Sequence, residues 1–448
     1  MTNVLTTAFP PKPVLVKEIT PRATKFGTLN RSDFRWLLKD GNTDLSHYSA
    51  GATFSRIEWK PFNPGSPTQI VERLNEAGWQ PTDKTKTHFK AEQAWKRQPT
   101  KENEERLRSF LVTGWKISET NLNTLSSTAP AAAHQLVRFL ILNNRKKLLE
   151  IWLEASEADG RIHPTITPLG TWTGRKSHSD PNVANVPTEK PQDLPEIKRL
   201  NNTLRSLFCV HSDRLLVGVD ADGIQLRVLA HYIQDDRFTG ALVAGDKSKG
   251  TDVHSLNVTA IGPACKGRRD AKTFIYAWLL GAGVERVQEI LDCDKSTAQD
   301  ARTRFLTYYP GLQRLKEEDI PRDAAAGYFR GFDGRYVQIY GEDESHRRHY
   351  CLGGYLQNGE SVVMNRASLI WHAKLRKEGI PFWQVNDVHD EWQTETINDY
   401  DTAMYIAQVQ ADSIRQAGED LELNCPMAGS ILNAHEQVAI GTNWRETH

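Results

Sequence analysis

Two apolar, strand-like runs each close on an aspartate, and a cationic helix pattern lies between them in the chain. The first run, Leu215-Leu216-Val217-Gly218-Val219, ends on Asp220; in the second, FWQVNDVHDEWQTE, Val385 and Val388 precede Asp390. Short apolar runs bounded by turn signals read as strands. Charges are rarely fully buried, so a strand that ends on a charge ends at an edge of its sheet. Two such runs can deliver two carboxylates to the same edge. One carboxylate beyond a buried strand is most often a surface cap, and neither aspartate alone would mark a site. Paired, with a cationic helix between them, they are far more specific.

The helix pattern is RRDAKTFIYAWLLGAG, beginning at Arg268. Residues four apart are neighbours on a helix, so Arg268, Lys272 and Tyr276 form one stripe, while Phe274, Trp278 and Leu279 look like core. A solvated basic face is the ordinary meaning of two cations at this spacing. Here the stripe ends in an aromatic, which suits a nucleoside triphosphate: the Arg fork grips phosphate oxygens, Lys acts as a point charge, and Tyr276 offers a face to the base. Two carboxylates can hold two Mg²⁺ ions about 3.5–4 Å apart, one activating a hydroxyl and the other neutralising a pyrophosphate leaving group. The combination predicts phosphoryl transfer onto a primer end.

At 448 residues, 25% charged and 39% hydrophobic, the chain is globular and of more than one domain. Its net charge is zero, with basic residues clustered locally at Arg145-Lys146-Lys147 and Arg268-Arg269. A neutral total leaves a polynucleotide partner open, because the potential along a cleft decides. Five scattered cysteines with no CxxC pair argue against a zinc site or a disulfide framework and fit a reducing cytoplasm. No segment approaches the roughly 18 apolar residues of a membrane span. The start, MTNVLTTAFPPKP, lacks the pattern of a signal peptide.

Residues 1 to about 62, rich in Pro, Thr, Gly and Ser, read as an extended arm with at most short elements. After Asn63-Pro64-Gly65-Ser66, TQIVERLNEAGW reads as an amphipathic helix, Asp83 to Lys101 as a polar loop or frayed helix, and 103–157 as helical again. Short strand-like pieces follow from Arg161 to Pro187, and 233 to about 330 is mostly helical. Asn386-Asp387 reads as a hairpin turn. RIHPTITPLGTWTGRKSHSDPNVANVP carries Arg175, Asn182 and Asn185, side chains able to donate to minor-groove acceptors that every base pair presents.

From about Asn63 onward these blocks resemble the family A DNA polymerases, the phage replicative branch most closely. TGRKSHSDPNVANVP is similar to the family's TGR…PN…NIP segment, VDADGIQLRVLAH to motif A, RRDAKTFIYAWLLGAG to motif B and VHDE (388–391) to motif C. FDGRYV (332–337), YLQNGESVVMN (355–365) and the closing NWRETH fall where the family has similar stretches. The resemblance implies an α+β right-hand fold: a helical thumb (63–159), an antiparallel-sheet palm (160–232 and 353–448) and helical fingers (233–352), with 1–62 as an arm. It implies Asp220, Asp390 and the Ala221 carbonyl as ligands of two Mg²⁺ ions. It implies His254, Arg268, Lys272, Tyr276 and Gln225 at the incoming dNTP, Lys272 also serving the chemistry. Arg175, Asn182, Asn185, Gln357 and His389 would track primer–template DNA, with Glu391 and the terminal His448 beside the metal site.

Where motif A of the family has Glu, this chain has Gln225; where motif B ends Tyr-Gly, it has Leu280-Gly281; and Ala277 replaces the usual Gly. The Glu and Tyr brace each other in the family, and the Glu crowds a ribose 2′-hydroxyl. The expectation is a Gln225 that still excludes ribonucleotides by bulk but samples more rotamers. The region before Asn63 is too short for a 3′–5′ exonuclease domain, so no intrinsic proofreading is expected. Pro11 to Lys25 is then either a docking segment for a separate exonuclease or processivity subunit, or a linker. The leading expectation is a DNA-templated DNA polymerase of phage origin acting in a bacterial host cytoplasm. The alternatives are a single-subunit RNA polymerase-like nucleotidyl transferase and a catalytically inactive subunit that binds primer–template.

Overall fold

The computed structural model describes residues 5, 7–39, 41–190, 193–279 and 281–448. They form two compact units, Met1–Glu154 and Ala155–His448. No helix among the described residues is long and apolar enough to cross a membrane.

In the first unit, β1 (Lys12–Ile19) pairs antiparallel with β2 (Phe54–Lys60), with a bulge between Leu15 and Lys17. Phe34, Tyr48 and Phe54 pack around one another beside this hairpin, with Tyr48 centroids 4.9 and 4.7 Å from those of Phe34 and Phe54. The expected irregular arm is thereby corrected to a folded hairpin. Its strands lie far apart in sequence and stay largely exposed, Leu15, Ile57 and Trp59 among them, so no local stretch shows a buried apolar period. Lys86–Arg97 is a helix capped by Thr85, and it buries His88 and Ala91. One narrow covered face explains why this stretch read as polar. Helix Pro67–Glu76 buries Ile70 and Leu74, as helical spacing predicts, and Val71 besides. Ala131–Ala155 forms a rod of 25 residues.

In the second unit, β3 (Thr165–Thr167) pairs with β4 (Ser177–Ser179), and β6 (Tyr328–Arg330) with β7 (Tyr336–Gln338). The central antiparallel sheet holds β5 (Arg214–Ala221), β8 (Phe382–Val388), β9 (Glu391–Ile397), β10 (Gly429–Ser430) and β11 (Ile440–Gly441). Its order is β10-β5-β9-β8, with β11 also on β5. Helices Glu344–Lys377 and Tyr400–Asp420 pack together, and the second lies against β5. Their interface with the sheet buries Val217, Val219, Trp371, Trp392, Ile406 and Ile414. The C-terminal segment crosses β5 where Gly218 has no side chain, since a Cβ there would overlap the Thr447 carbonyl. Helix Arg268–Leu279 is seated by Phe274 and Trp278 against Phe305, with centroids 5.1 and 5.8 Å away.

The hairpin turn expected at Asn386-Asp387 lies elsewhere. Those residues belong to β8, after a bulge between Gln384 and Asn386, and Val388 pairs with Glu391. The two-residue turn is His389-Asp390, entered with His389 at φ +61°. Asn-Asp has turn-like composition, but register and the left-handed backbone of His389 set the turn three residues on. The shift puts Asp390 at the tip of the hairpin.

Candidate active site

Asp220 is the penultimate residue of β5 and pairs with Glu391 of β9 and Ser430 of β10. The Ala221 amide donates to the Asp390 carbonyl at 2.8 Å, which draws the hairpin tip against the end of β5. Sheet register alone thus brings the two predicted aspartates to one edge. Burial pushes the Asp220 carboxyl up to about 8, and the charges of Asp390, Glu391, Asp222 and Glu360 add to the effect. Asp390 is raised as well, by burial first and then by Glu360, with Arg175 opposing. Carboxylates that burial and one another disfavour are stabilised by a bound cation.

The donors are hard oxygens, as Mg²⁺ requires, and Mg²⁺ usually completes its octahedron with water and substrate phosphates. No group of three His, Cys, Asp or Glu side chains gathers for a metal ion among the described residues. Asp220, Asp390 and the Ala221 carbonyl could supply part of such a ligand set.

Glu391 is held quite differently. It is buried, yet it accepts from Trp444 Nε1 (2.6 Å) and Gln393 Nε2 (2.6 Å) and meets His448 Nδ1 at 2.9 Å. Burial would raise its pKa, but these partners, His448 foremost, bring it below the usual carboxylate value. Glu391 is thus a satisfied buttress, and the C-terminal residues are what satisfy it.

On helix Arg268–Leu279, Ala271, Phe274, Ile275, Trp278 and Leu279 are buried. Arg268 donates to Asp252 from Nη2 (2.8 Å) and Nε (3.0 and 3.1 Å). Asp252 caps the next-door helix Val253–Ile261; burial would raise its carboxyl, but Arg268 and Ser255 hold it far below the usual range. Arg268 is therefore oriented before any ligand arrives. Lys272 is exposed and has no ion pair among the described residues. His254, buried beneath this stripe, is lowered to about 4 by burial and then by the charges of Arg268 and Lys272, so it is a neutral imidazole. Its ring lies 6.1 Å from that of Tyr276. The Tyr276 hydroxyl is raised by burial and then by Asp222 and Asp390, which puts the ring within electrostatic reach of the carboxylate edge.

The segment after β3 is tied to two other elements. Arg175 Nη2 donates to Glu360 at 2.5 Å, Asn358 Nδ2 to the Thr173 carbonyl at 3.0 Å, and Ser361 Oγ to the Gly174 carbonyl at 2.5 Å. Thr173 Oγ1 donates to Gln357 at 3.3 Å. His178 Nε2 meets the Asp387 carbonyl at 2.9 Å, and Lys176 pairs with the Asp387 carboxylate. Arg175 thereby lies within electrostatic reach of His389 and Asp390, and Gln357 is tied to the same segment through Thr173; the His389 and His178 rings stand 6.4 Å apart. Asn182 and Asn185 are exposed on the loop beyond, where Asn182 caps the short turn Val183–Asn185.

Gln225, on the first turn of helix Ile224–Ile233, donates through Nε2 to Glu360 at 3.1 Å. Beside the expected freedom of this side chain stands a partner not foreseen from the sequence: a carboxylate on another helix accepts from it. Leu280, the other half of that expectation, lies outside the described residues. Sequence reasoning missed Glu360 and Asp252. Both left signals: Glu360 interrupts an apolar stripe at helical spacing (Leu356, Val363, Ala367, Trp371), and Asp252 stands where an N-cap precedes an apolar run.

A family model for DNA polymerase family A matches residues 39–446. DNA-directed DNA polymerases of Enterobacteria phage T3 and Escherichia phage T7 are 26% and 25% identical over 430 residues, each alignment covering 90% of this chain. The chain spans about half the length of these relatives, 55% of each. Among solved structures, the POL domain of Pol1 from M. smegmatis, in complex with DNA primer-template and dNTP, superposes with a TM-score of 0.67. The match has 19% identity and covers 87% of this chain and 62% of that one. The mixed helix-and-sheet architecture is accordingly that of a polymerase domain, and with the family match extending over nearly the whole sequence, the chain belongs to DNA polymerase family A.

Proposed function

We propose that this chain is a DNA-templated DNA polymerase that extends a primer 3′ end with dNTPs, using Asp220 and Asp390 to hold two Mg²⁺ ions. The observation that carries the reading is the antiparallel register that brings both raised, mutually repelling carboxylates to one sheet edge. Bound there, the ions would lower the pKa of the primer hydroxyl and neutralise charge on the departing pyrophosphate.

The chain's own residues supply the rest. Lys272 places a mobile point charge at the triphosphate, and Arg268, already oriented by Asp252, adds a directed fork. Neutral His254 can give or accept one hydrogen bond without adding charge. Tyr276 packs against the base of the incoming nucleotide. Arg175, Gln357 and His389, with the exposed Asn182 and Asn185, follow the primer–template. Glu391, anchored by Trp444, Gln393 and His448, keeps the Asp390 turn from shifting.

Single-nucleotide extension on four templates that differ in one templating base tests this reading. Mg²⁺-dependent addition of the complementary dNTP in each case is expected. Addition irrespective of template, or none, overturns the reading, and equal use of rNTPs would favour an RNA polymerase. The same protein, given a 3′-mismatched primer and Mg²⁺ without dNTPs, is expected to leave the primer at full length.

A further inference from the structure

Glu360 stands on helix Glu344–Lys377, within the stripe that otherwise faces the core, and its side chain is fully buried. A buried carboxylate is costly unless it is paired and hydrogen-bonded. Two donors converge on its Oε2: Arg175 Nη2 at 2.5 Å and Gln225 Nε2 at 3.1 Å. An ionised carboxylate only accepts, so the end of the Gln225 amide that faces it must be the NH₂ group. The Gln225 carbonyl oxygen then points away from Glu360. A glutamine with no such partner can flip its amide and present either a donor or an acceptor; here the flip is fixed.

The pair borders the reaction edge. Gln225 is the second residue of the helix that follows β5, four residues after Ala221. The Glu360 charge is felt at both Asp220 and Asp390.

We propose that Glu360 is a positioning residue for sugar selection, locking Gln225 through its amide nitrogen so that an immobile side chain stands against the 2′ position of the incoming nucleotide. The inference deepens the polymerase reading and rests on it. A glutamine held in one rotamer blocks the volume a 2′-hydroxyl needs. A loose glutamine can swing aside and leave room for that hydroxyl. The carboxylate that motif A lacks at position 225 is thus supplied from another helix, one side chain further from the sugar.

The readout is the ratio of kcat/KM for a dNTP to that for the matching rNTP, which cancels any weakening of primer grip common to both. Glu360→Ala is expected to lower the ratio about tenfold, and Gln225→Ala to lower it at least as far. Adding Glu360→Ala in the Gln225→Ala background should change the ratio no further, because Glu360 acts through Gln225. The exchange variant, Gln225→Glu with Glu360→Gln, again sets one amide against one carboxylate and should restore most of the selectivity. A merely structural role for Glu360 would not be rescued in this way.

An unchanged ratio in a folded Glu360→Ala protein overturns the proposal, as does an equal further fall in the Gln225→Ala background. If Glu360→Ala does not fold, the exchange variant decides: a ratio near that of the unaltered protein supports the assignment, and one as low as Gln225→Ala overturns it. An unaltered protein that extends no primer with dNTPs overturns the polymerase reading together with this one. Normal dNTP extension with an unmoved ratio removes only the role of Glu360.

Discussion

At the sheet edge, Asp220 and Asp390 sit half-buried with Glu360, Glu391 and Asp222 among the charges around them, and burial and repulsion disfavour their ionised forms. On helix Arg268–Leu279 the charges are arranged the other way: the Arg268 guanidinium is matched by Asp252, Lys272 stands in solvent, and His254 is neutral. On the proposed reading the cationic half would meet phosphates with an Arg268 already oriented by Asp252 and a mobile Lys272, whereas the anionic half carries repulsion that bound cations would relieve. Removing a group from the first half should weaken capture of the nucleotide; removing one from the second should remove the chemistry.

The largest effect should follow loss of a carboxylate. Asp220→Ala and Asp390→Ala are each expected to slow single-turnover incorporation on the order of 10³-fold or more, with primer–template affinity retained. Near-normal incorporation by either variant would break the contrast at its anionic end. Next comes Lys272→Ala, expected to lower kcat/KM for dNTP by about 10–100-fold while DNA binding changes little. If DNA binding falls and dNTP kinetics hold, this helix serves the duplex and the cationic half has been misassigned.

A smaller effect concerns the metal-free protein. The folded-state value of Asp220, about 8, lies above the value of about 4 expected in the unfolded chain. Folding therefore favours the protonated form. Well below pH 4 the group is neutral in both states and costs nothing; as pH climbs from about 4 toward 8 the native state loses stability through it. Asp220→Asn should stabilise the metal-free protein at pH 8 by about 1–3 kcal/mol in urea titrations, with the gain shrinking as pH falls and vanishing below about pH 4. A gain that is the same at both pH values would mean that Asp220 is not electrostatically frustrated.

The parts of this site that the sequence disclosed are those carried by local pattern. Apolar runs ending on Asp220 and Asp390 fixed two strands, and the spacing of Arg268, Lys272 and Tyr276 against Phe274 and Trp278 fixed one helix and its faces. What stayed hidden depends on which strands and helices meet. The β1–β2 hairpin joins residues some 40 positions apart, and no window sees both strands. The turn at His389-Asp390 was set by register, which outweighed the turn-like Asn386-Asp387 pair. Gln225 looked unsupported because its known family partner is replaced by Leu280, while the group that holds it is a glutamate 135 positions away. A charge inside an apolar helical stripe was the one visible sign of that contact.

The central claim is that the Asp220–Asp390 edge is a cation site left repulsive until it is filled. Its most direct test is thermal unfolding at pH 8 with and without millimolar Mg²⁺, comparing the unaltered protein with the Asp220→Asn, Asp390→Asn double variant. A cation present at ten times its dissociation constant adds about 1.4 kcal/mol to the folded state. The account predicts a Tm that rises with Mg²⁺ in the unaltered protein and stays flat in the double variant, which should begin from a higher metal-free Tm. Equal Mg²⁺ shifts in the two proteins would contradict it.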